Sequence, residues 1–244
     1  MTWDNTWNDI LDGGHKRWKD VDPNGIKVAL GHIQKHLSSA EEKGDDLDDM
    51  KVLCPLAGDD PFVHYAWTNG FDVTAIDIVP AALSSLRRQF SSDDSDWTKT
   101  TVLDEKTNET STTVWKHISG RVTLYEGDIF SLRPELHHVF DVVYDKDSFG
   151  ALTKDLRSRY CQTIADYTKD GAVLYMEVKK KDVGHPGLHH GPPFSVDKAD
   201  LMEADNFGKK GGSLFRHVES LGEVYDINTP KMMQTGHILR RTAE

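Results

Sequence analysis

Glycine and aspartate residues follow three segments that have the composition of buried strands. The apolar run 51–56 ends at Leu56-Ala57-Gly58, where small residues let the backbone approach a ligand closely. A second run contains Asp77, about 20 residues after Gly58, a separation at which a carboxylate accepts hydrogen bonds from the ribose hydroxyls of an adenosine group. The third run is followed by Asp128, whose side chain and neighbouring backbone are suited to contact the adenine edge.

The segment after the first strand lacks the phosphate-binding glycines of nicotinamide enzymes. Pro55-Leu-Ala-Gly-Asp-Asp60 stands where G-x-G-x-x-G would place a pyrophosphate on a helix N-terminus. The two adjacent carboxylates would repel a pyrophosphate. A cofactor that has a ribose and no phosphate fits better, and S-adenosylmethionine is one such cofactor. A nicotinamide dehydrogenase is the weaker alternative.

These residues need strands that end at one edge of a parallel sheet, and the pattern of the chain predicts such strands. Apolar runs alternate with helical segments, which predicts an α/β fold with a mostly parallel sheet and helices on both faces. The predicted strands are 51–56, 73–78, 121–125, 140–144, 172–176, 222–227 and 236–241. The predicted helices are 25–37, 61–69, 81–90, 153–168 and 197–206. Residues 91–113 are polar and are predicted to be an exposed insertion, and the run 179–181 of three lysines is predicted to be the solvated end of a strand.

Composition narrows the classes of partner. The chain of 244 residues has 29 basic and 40 acidic side chains and a net charge of −11, so a polyanion such as nucleic acid is repelled on average. The mean hydropathy is −0.56, and no apolar run reaches the roughly 20 residues of a membrane-spanning helix. With only Cys54 and Cys161 and no signal peptide pattern at the start, we expect a cytoplasmic protein that is monomeric and has a small-molecule partner.

Three segments in the first half of the chain resemble the thiopurine S-methyltransferase family. Val52-Leu-Cys-Pro-Leu-Ala-Gly58 is similar to its P-L-C-G turn, with Ala57 in place of the usual cysteine. Gly70-Phe-Asp-Val-Thr-Ala-Ile-Asp-Ile-Val-Pro-Ala-Ala82 resembles its second strand and following helix. Residues 115–130 are similar to its third strand and the segment beside adenine.

The second half and the N-terminus extend this resemblance. Phe140-Asp-Val-Val-Tyr-Asp145 is similar to the family's F-D-x-I-W-D. The most specific match is His185-Pro-Gly187 followed by Gly191-Pro-Pro-Phe-Ser-Val196, an interrupted form of H-P-G-P-P-F-x-V, which lies beside the active site in that family. Trp3 and Trp7 match its N-terminal W-x-x-x-W.

The resemblance implies a fold and a cofactor. The fold is the Rossmann-like α/β fold of class I methyltransferases, with a seven-stranded, mostly parallel sheet whose last strand is antiparallel. Residues 1–244 would form a single methyltransferase domain, with 1–40 as an N-terminal helical lid and 91–113 as the polar insertion. The cofactor would be S-adenosylmethionine, with S-adenosylhomocysteine as the product.

The resemblance also implies site residues. The family usually has arginine where Lys146 stands, and its substrate-side phenylalanine has its best counterpart in Trp18. The implied cofactor contacts are Trp3, Trp7, Leu56, Gly58, Asp77, Ile78, Asp128, Ile129, Asp145 and Lys146. The implied substrate contacts are Trp18, Pro193 and Phe194. Trp3, Trp18 and Phe194 would form an apolar lid over an aromatic or soft substrate.

The reaction needs few side chains because the sulfonium methyl group is already activated. In-line positioning and exclusion of water therefore account for most of the catalysis. If a thiol must lose a proton, Asp145 is the first candidate base and His185 the second, both on position alone. His185, His189 and His190 lack a carboxylate or thiolate at metal-ligand spacing, so no metal is expected.

Three hypotheses of function follow. The first is methyl transfer to the sulfur of a small thiol, with aromatic or heterocyclic thiols as candidates. The second is methylation of a soft anion, halide or thiocyanate, by an enzyme of the same fold. The third is a cofactor-binding protein without catalysis, which the altered Ala57, Lys146 and the lengthened loop 185–196 leave open.

Overall fold

The computed structural model describes residues 5, 9, 12, 23–38, 50–103, 110–208 and 214–243. The chain forms two compact units. The first comprises residues 1–21 and 45–131, and the second comprises residues 22–44 and 132–244. Within the described residues, no helix is long and apolar enough to cross a membrane.

The strands of the first unit have the order β3-β4-β5-β2-β1. Strands β1 (Lys51–Pro55), β2 (Asp72–Asp77) and β5 (Val122–Gly127) are parallel, and their carboxyl ends lie at the same edge. Helices α2 (Phe62–Thr68) and α3 (Pro80–Phe90) connect them. Pro80 begins α3 because its fixed φ suits the first helical turn, and α3 buries its apolar positions Ala82, Leu83 and Leu86.

The segment predicted to be a polar insertion contributes a strand. β3 (Trp97–Leu103) follows a 3₁₀ turn at Asp94–Asp96 and pairs antiparallel with β4 (Thr110–His117), which pairs antiparallel with β5. The side chains of residues 98–103 are exposed, whereas Trp97 is buried against Phe90 and His117. Polar β-branched residues form a ladder through their backbones without contributing to the core. The described residues therefore contain nine strands, where seven were expected.

The strands of the second unit have the order β6-β7-β9-β8. β6 (Phe140–Lys146) and β7 (Thr168–Lys181) are parallel, and β9 (Met232–Arg241) is antiparallel to both β7 and β8 (Phe215–Tyr225). The prediction of an antiparallel last strand is confirmed. The helices are α1 (Pro23–Ser38), α4 (Ser148–Ala151), α5 (Lys154–Tyr167) and α6 (Lys198–Leu201), with a 3₁₀ turn at Pro134–Leu136.

The element boundaries differ most from the sequence prediction near the end of the chain. β8 and β9 begin before the predicted strands, at Phe215 and Met232. β8 lies at the edge of the sheet and only its first residue, Phe215, is buried, so it lacks the continuous apolar run of a buried strand. Helix α6 ends at Leu201, before the predicted end at residue 206. A capping box of Asp197 and Asp200 begins this helix, and the Asn206 side-chain amide donates to the Asp200 carbonyl at 2.7 Å near its end.

Candidate cofactor site and the loop 182–196

Asp77 lies at the end of β2 and binds the turn that follows β1. Its Oδ2 accepts a hydrogen bond from the Gly58 N–H at 2.7 Å, and its Oδ1 accepts one from the Val79 N–H at 2.9 Å. Asp77 is only 6% exposed. Burial raises the pKa of Asp77 from its usual value to about 6, although the backbone hydrogen bonds favour the charged form. Each carboxylate oxygen has a second lone pair, which suits two neighbouring hydroxyls of a ligand.

The turn between β1 and α2 contains two residues with left-handed backbone conformation. Gly58 has a φ of 56°, which glycine adopts without penalty, and Leu56 has a φ of 44°. A non-glycine residue in this region costs about 1–3 kcal/mol and persists only where its surroundings hold it. Here the Ala57 N–H donates to the Ile76 carbonyl at 3.2 Å, and Asp77 holds Gly58. The strain falls at a predicted cofactor contact.

Next to Asp77 and after β5, the chain exposes one apolar side chain, Ile78, and one acidic side chain, Asp128. Ile78 is 53% exposed, which is unusual for a large apolar side chain beside a buried carboxylate. Asp128 is exposed, and its Oδ1 accepts a hydrogen bond from the Phe130 N–H at 3.0 Å. The Ile129 side chain is buried, so its backbone is the part that is suited to contact a ligand. The first unit brings together, at the ends of neighbouring parallel strands, Leu56, Gly58, Asp77, Ile78 and Asp128.

The donors and acceptors of this set fit an adenosine group without phosphate. Asp77 is suited to the ribose hydroxyls, and Ile78 to one face of adenine. Asp59 Oδ2 accepts from the Ser85 hydroxyl at 2.8 Å, and Asp60 Oδ1 accepts from the Phe62 N–H at 2.8 Å. Acidic side chains therefore occupy the turn where a pyrophosphate would need cations or free N–H groups. The same negative charge favours a cationic sulfonium cofactor.

In the second unit, Asp145 is fully buried at the end of β6. Its Oδ2 accepts from the Tyr160 hydroxyl at 2.7 Å, and its Oδ1 accepts from the Ser148 N–H at 2.9 Å. Burial raises the pKa of Asp145 to about 7, against the effect of these hydrogen bonds. Both oxygens therefore bind the first turn of α4 and the α5 side chain Tyr160. This geometry ties Asp145 to the two helices that follow β6.

Lys146, the next residue, lies beside a buried carboxylate that the sequence analysis did not single out. Lys146 is the register partner of Glu177 on β7, and its Nζ lies 5.5 Å from the centroid of the Tyr225 ring. Glu177 accepts hydrogen bonds from the hydroxyls of Tyr175 and Tyr225, both at 2.8 Å. Burial raises the pKa of Glu177, whereas Lys146 and the two hydroxyls oppose that change. Glu177 and Tyr225 thus set the environment of the Lys146 ammonium.

Lys179 continues this network, contrary to the prediction that the three lysines are solvated. Its side chain is buried, and its Nζ lies 3.3 Å from Asp147 Oδ2 and donates to Gln234 Oε1. The Gln234 amide nitrogen donates to Asp147 Oδ1 and to Glu177 Oε2, each at 3.3 Å. Lys181 is buried too, while Lys180 between them is exposed, as the two-residue period of a strand requires. In the sequence, this buried network is indicated by one acid, Glu177, within the apolar run 172–178.

The loop 182–196 contacts the segment that follows Lys146. The Phe194 N–H donates to the Gly150 carbonyl of α4 at 2.8 Å. The Arg157 guanidinium carbon lies 4.7 Å from the Phe149 ring centroid and 5.7 Å from that of Phe194. Pro193 and Phe194, both predicted substrate contacts, are half-buried. The structure therefore places this loop beside the end of β6.

His185 lies at the start of the same loop and is also half-buried. Its Nδ1 accepts a hydrogen bond from the Gly187 N–H at 3.0 Å, so the neutral ring holds its proton on Nε2. Nδ1 is thus already bound to the loop backbone. In the described residues, no group of three or more His, Cys, Asp or Glu side chains has the arrangement of a metal site. The predicted contacts Trp3, Trp7 and Trp18 lie outside the described residues.

Solved structures with similar chain folds include class I methyltransferases. The 1,6-didemethyltoxoflavin-N1-methyltransferase of Burkholderia thailandensis, with bound S-adenosylhomocysteine, has a TM-score of 0.62 at 17% identity over 98% of this chain and 86% of that chain. Magnesium protoporphyrin IX methyltransferase from Synechocystis, with bound S-adenosylmethionine, has a TM-score of 0.58 at 12% identity over 98% and 95%. The fold is therefore the α/β class I methyltransferase fold. The [4+2]-cyclase SpnF shares it, with a TM-score of 0.58 at 13% identity over 98% and 93%, so the fold alone does not define the reaction.

The sequence defines the family more narrowly. The family model of thiopurine S-methyltransferase matches residues 5–217. The thiopurine S-methyltransferase of Acinetobacter baylyi is 24% identical over 63% of this chain and 65% of that protein, and that of Canis lupus familiaris is 25% identical over 73% and 69%. That of Gluconobacter oxydans is 35% identical over 35% and 37%. The matched region thus spans less than two thirds of the Acinetobacter and Gluconobacter proteins. The chain belongs to the thiopurine S-methyltransferase family, whose cofactor is S-adenosylmethionine.

Proposed function

We propose that this chain transfers the methyl group of S-adenosylmethionine to the sulfur of a small thiol, with residues 1–244 acting as one methyltransferase domain. The observation that supports this most directly is the arrangement of Asp77 and Gly58. A buried carboxylate holds a glycine turn in left-handed conformation and has lone pairs left for a ribose diol. Family membership supplies the class of reaction.

The residues that would bind the cofactor in this proposal are Leu56, Gly58, Asp77, Ile78, Asp128, the Ile129 backbone and Lys146. When bound, S-adenosylmethionine supplies a methyl group that leaves a positively charged sulfur and needs no further activation. Asp77 would orient the ribose, Ile78 would cover adenine, and Lys146 would offer a cation to the cofactor carboxylate. Because lysine lacks the planar fork of arginine, Lys146 would make a single contact where the family's usual arginine can make two.

The acceptor, in this proposal, binds as a thiolate. Asp145 is fully buried with both oxygens engaged, and His185 Nδ1 already accepts a hydrogen bond. Both predicted bases already accept hydrogen bonds from the protein, which favours an acceptor that needs no base. A thiol whose own pKa lies near or below neutral arrives ionised, which favours aromatic and heterocyclic thiols over alkyl thiols. The half-buried Pro193 and Phe194 would provide apolar contact for such a ring.

The experiment begins with calorimetry of S-adenosylmethionine and S-adenosylhomocysteine binding to the native chain and to Asp77→Ala. Micromolar binding that is lost in Asp77→Ala supports the cofactor site, and no binding by the native chain refutes the proposal. Turnover is then measured with thiophenol, 6-mercaptopurine, 2-mercaptoethanol, thiocyanate and iodide. Turnover of the aromatic thiols supports the proposal, turnover of the two anions alone favours a soft-anion methyltransferase, and binding without any turnover favours a non-catalytic protein.

The expected cytoplasmic location and monomeric state belong to the same proposal. They rest on the composition of the chain, with its two buried cysteines and net charge of −11. Light scattering coupled to gel filtration tests the monomer directly. A mass of twice 27.5 kDa would contradict it.

A further inference from the structure

The loop 182–196 has a defined conformation without an apolar core of its own. None of the side chains from residue 182 to residue 195 is buried, and Val183 is 91% exposed. A loop of this length, without helix, strand or buried side chains, depends on polar contacts to offset the loss of backbone entropy on ordering. The contacts that hold its middle part are therefore decisive for its shape.

One ammonium group makes three of those contacts. Lys181 Nζ donates to three carbonyl oxygens of the loop, that of Gly187 at 2.9 Å and those of His190 and Pro193 at 2.7 Å each. An ammonium has three N–H groups, so this set matches its full capacity. The Lys181 side chain is only 9% exposed. The lysine thus occupies the centre of the loop.

The end of the loop is attached separately. The Lys181 N–H donates to the Ser195 hydroxyl at 3.0 Å, and the Val196 N–H donates to the Lys179 carbonyl at 2.9 Å. The Phe194 N–H is bound to Gly150, as described above. Between these attachments and β7, the segment from Gly187 to Pro193 depends on the Lys181 ammonium and on its own turns. Removing the ammonium therefore releases the segment that leads into Pro193 and Phe194.

We propose that Lys181 is a positioning residue for methyl transfer, which fixes the loop 182–196 so that Pro193 and Phe194 form a preformed wall for the acceptor. This inference rests on the proposed function for its catalytic consequence and on the hydrogen bonds alone for the positioning itself. Lys181 does not touch the acceptor or the cofactor in this role. It acts through the loop carbonyls.

The chain offers a matched control one residue away. Lys180 lies on the same strand with its side chain on the opposite face, where it is exposed and lines a separate cavity of about 540 Å³ together with Lys198 and His237. Lys181→Met and Lys180→Met remove the same charge and the same donors from neighbouring positions. Only the first removes the three loop hydrogen bonds.

The test measures amide hydrogen exchange, S-adenosylhomocysteine affinity and acceptor kinetics in both variants of the full chain. In Lys181→Met, we expect exchange of the amides of residues 185–194 to accelerate about tenfold or more, because the loop then opens without breaking three charge-assisted hydrogen bonds. The KM of the best thiol of the panel should rise about tenfold, with S-adenosylhomocysteine affinity within about twofold of the native value. Lys180→Met should leave all three unchanged, and Lys181→Arg should restore part of the protection.

Several results would overturn the inference. Unchanged loop exchange in Lys181→Met would show that the ammonium does not hold the loop. Faster exchange with an unchanged acceptor KM would show that the loop does not form a wall of the acceptor site. An equal loss of cofactor affinity would mean a global defect, and if Lys181→Met does not fold, exchange in Lys181→Gln decides. A native chain that binds no S-adenosylhomocysteine refutes the proposed function instead, and the exchange experiment then still decides the role of Lys181.

Discussion

Replacing Asp77 by asparagine separates its role in the fold from its role in cofactor binding. The difference between the usual pKa of 3.8 and the value of about 6 corresponds to about 3 kcal/mol by which the ionised form of Asp77 destabilises the folded state. Asparagine removes that charge but directs an NH₂ group at the Gly58 or Val79 N–H, at a cost of about 1–3 kcal/mol. The two effects oppose each other. We therefore expect the free energy of unfolding at neutral pH to change by less than about 2 kcal/mol.

Cofactor affinity should change far more than stability. Two hydrogen bonds from ribose hydroxyls to a carboxylate become bonds to a neutral amide, a loss of about 1.5–3 kcal/mol or roughly 10- to 100-fold in Kd. The native chain should also bind less tightly below pH 6, where Asp77 takes up a proton. Well below pH 6, the affinity should fall by about tenfold for each pH unit. Asp77→Asn should lack this dependence.

The stability of the native chain should change with pH in the opposite direction to its cofactor affinity. Because the folded pKa of Asp77 is raised, its contribution favours the folded state below about pH 4 and is lost as the pH rises through about 6. The difference between native and Asp77→Asn unfolding curves in urea isolates this term from other titrating groups. A flat difference between pH 5 and pH 7.5 would contradict it.

The assay is calorimetry with S-adenosylhomocysteine at pH 5, 6 and 7.5, with urea unfolding at the same values. Asp59→Asn is the matched control, because it makes the same chemical change at a neighbouring carboxylate that accepts from Ser85. An affinity of Asp77→Asn within twofold of the native value at pH 7.5 would refute the ribose assignment. An equal loss in Asp59→Asn would show a general charge effect.

Three further substitutions test separate parts of the structure. Ile78→Ser should change the free energy of unfolding by less than about 0.5 kcal/mol, because the side chain is 53% exposed. The same substitution should weaken S-adenosylhomocysteine binding by about 3- to 10-fold in calorimetry. A loss of stability without a loss of affinity would contradict this prediction. Tyr160→Phe removes a 2.7 Å hydrogen bond to Asp145, whose pKa burial raises to about 7. The decrease in the free energy of unfolding, measured in urea, should therefore grow from pH 5 to pH 8.5 and reach about 1.5–3 kcal/mol. Equal decreases at both pH values would be inconsistent with a charged acceptor. Glu177→Ala leaves buried donors without their acceptor and should lower the free energy of unfolding, measured in urea, by about 3–5 kcal/mol. The control Glu219→Ala, at a half-exposed position on β8, should have little effect. Similar effects of the two substitutions would argue against the buried network.

Much of the fold was predictable because its signals are local. The strands β1, β2 and β6 were predicted within two residues of their ends, since buried parallel strands are short continuous apolar runs. The strand β3 was not predicted, because its side chains are polar and exposed and its pairing with β4 depends on the backbone. Residue type and spacing thus predict strands that contribute to the core better than strands at an edge.

The candidate site divides in the same way. The positions of Gly58, Asp77 and Asp128 at one edge of the sheet were predictable because each lies at or just after the end of a parallel strand. The hydrogen bonding of Asp145 was not, because its partner Tyr160 lies 15 residues further along the chain. A sequence position shows that a carboxylate is near a site but not whether its oxygens are already engaged.

The sequence by itself determined the family, the alternation of strands and helices along the core, and the places where a glycine turn or an acid lies at the end of a parallel strand. Only the tertiary structure decided which of the three lysines 179–181 are buried and what they bind. The partners of Lys179 come from Asp147 and Gln234, and those of Lys181 come from the loop 182–196. Local propensity acts between residues a few positions apart, whereas the burial of a charge depends on groups that distant segments bring to it.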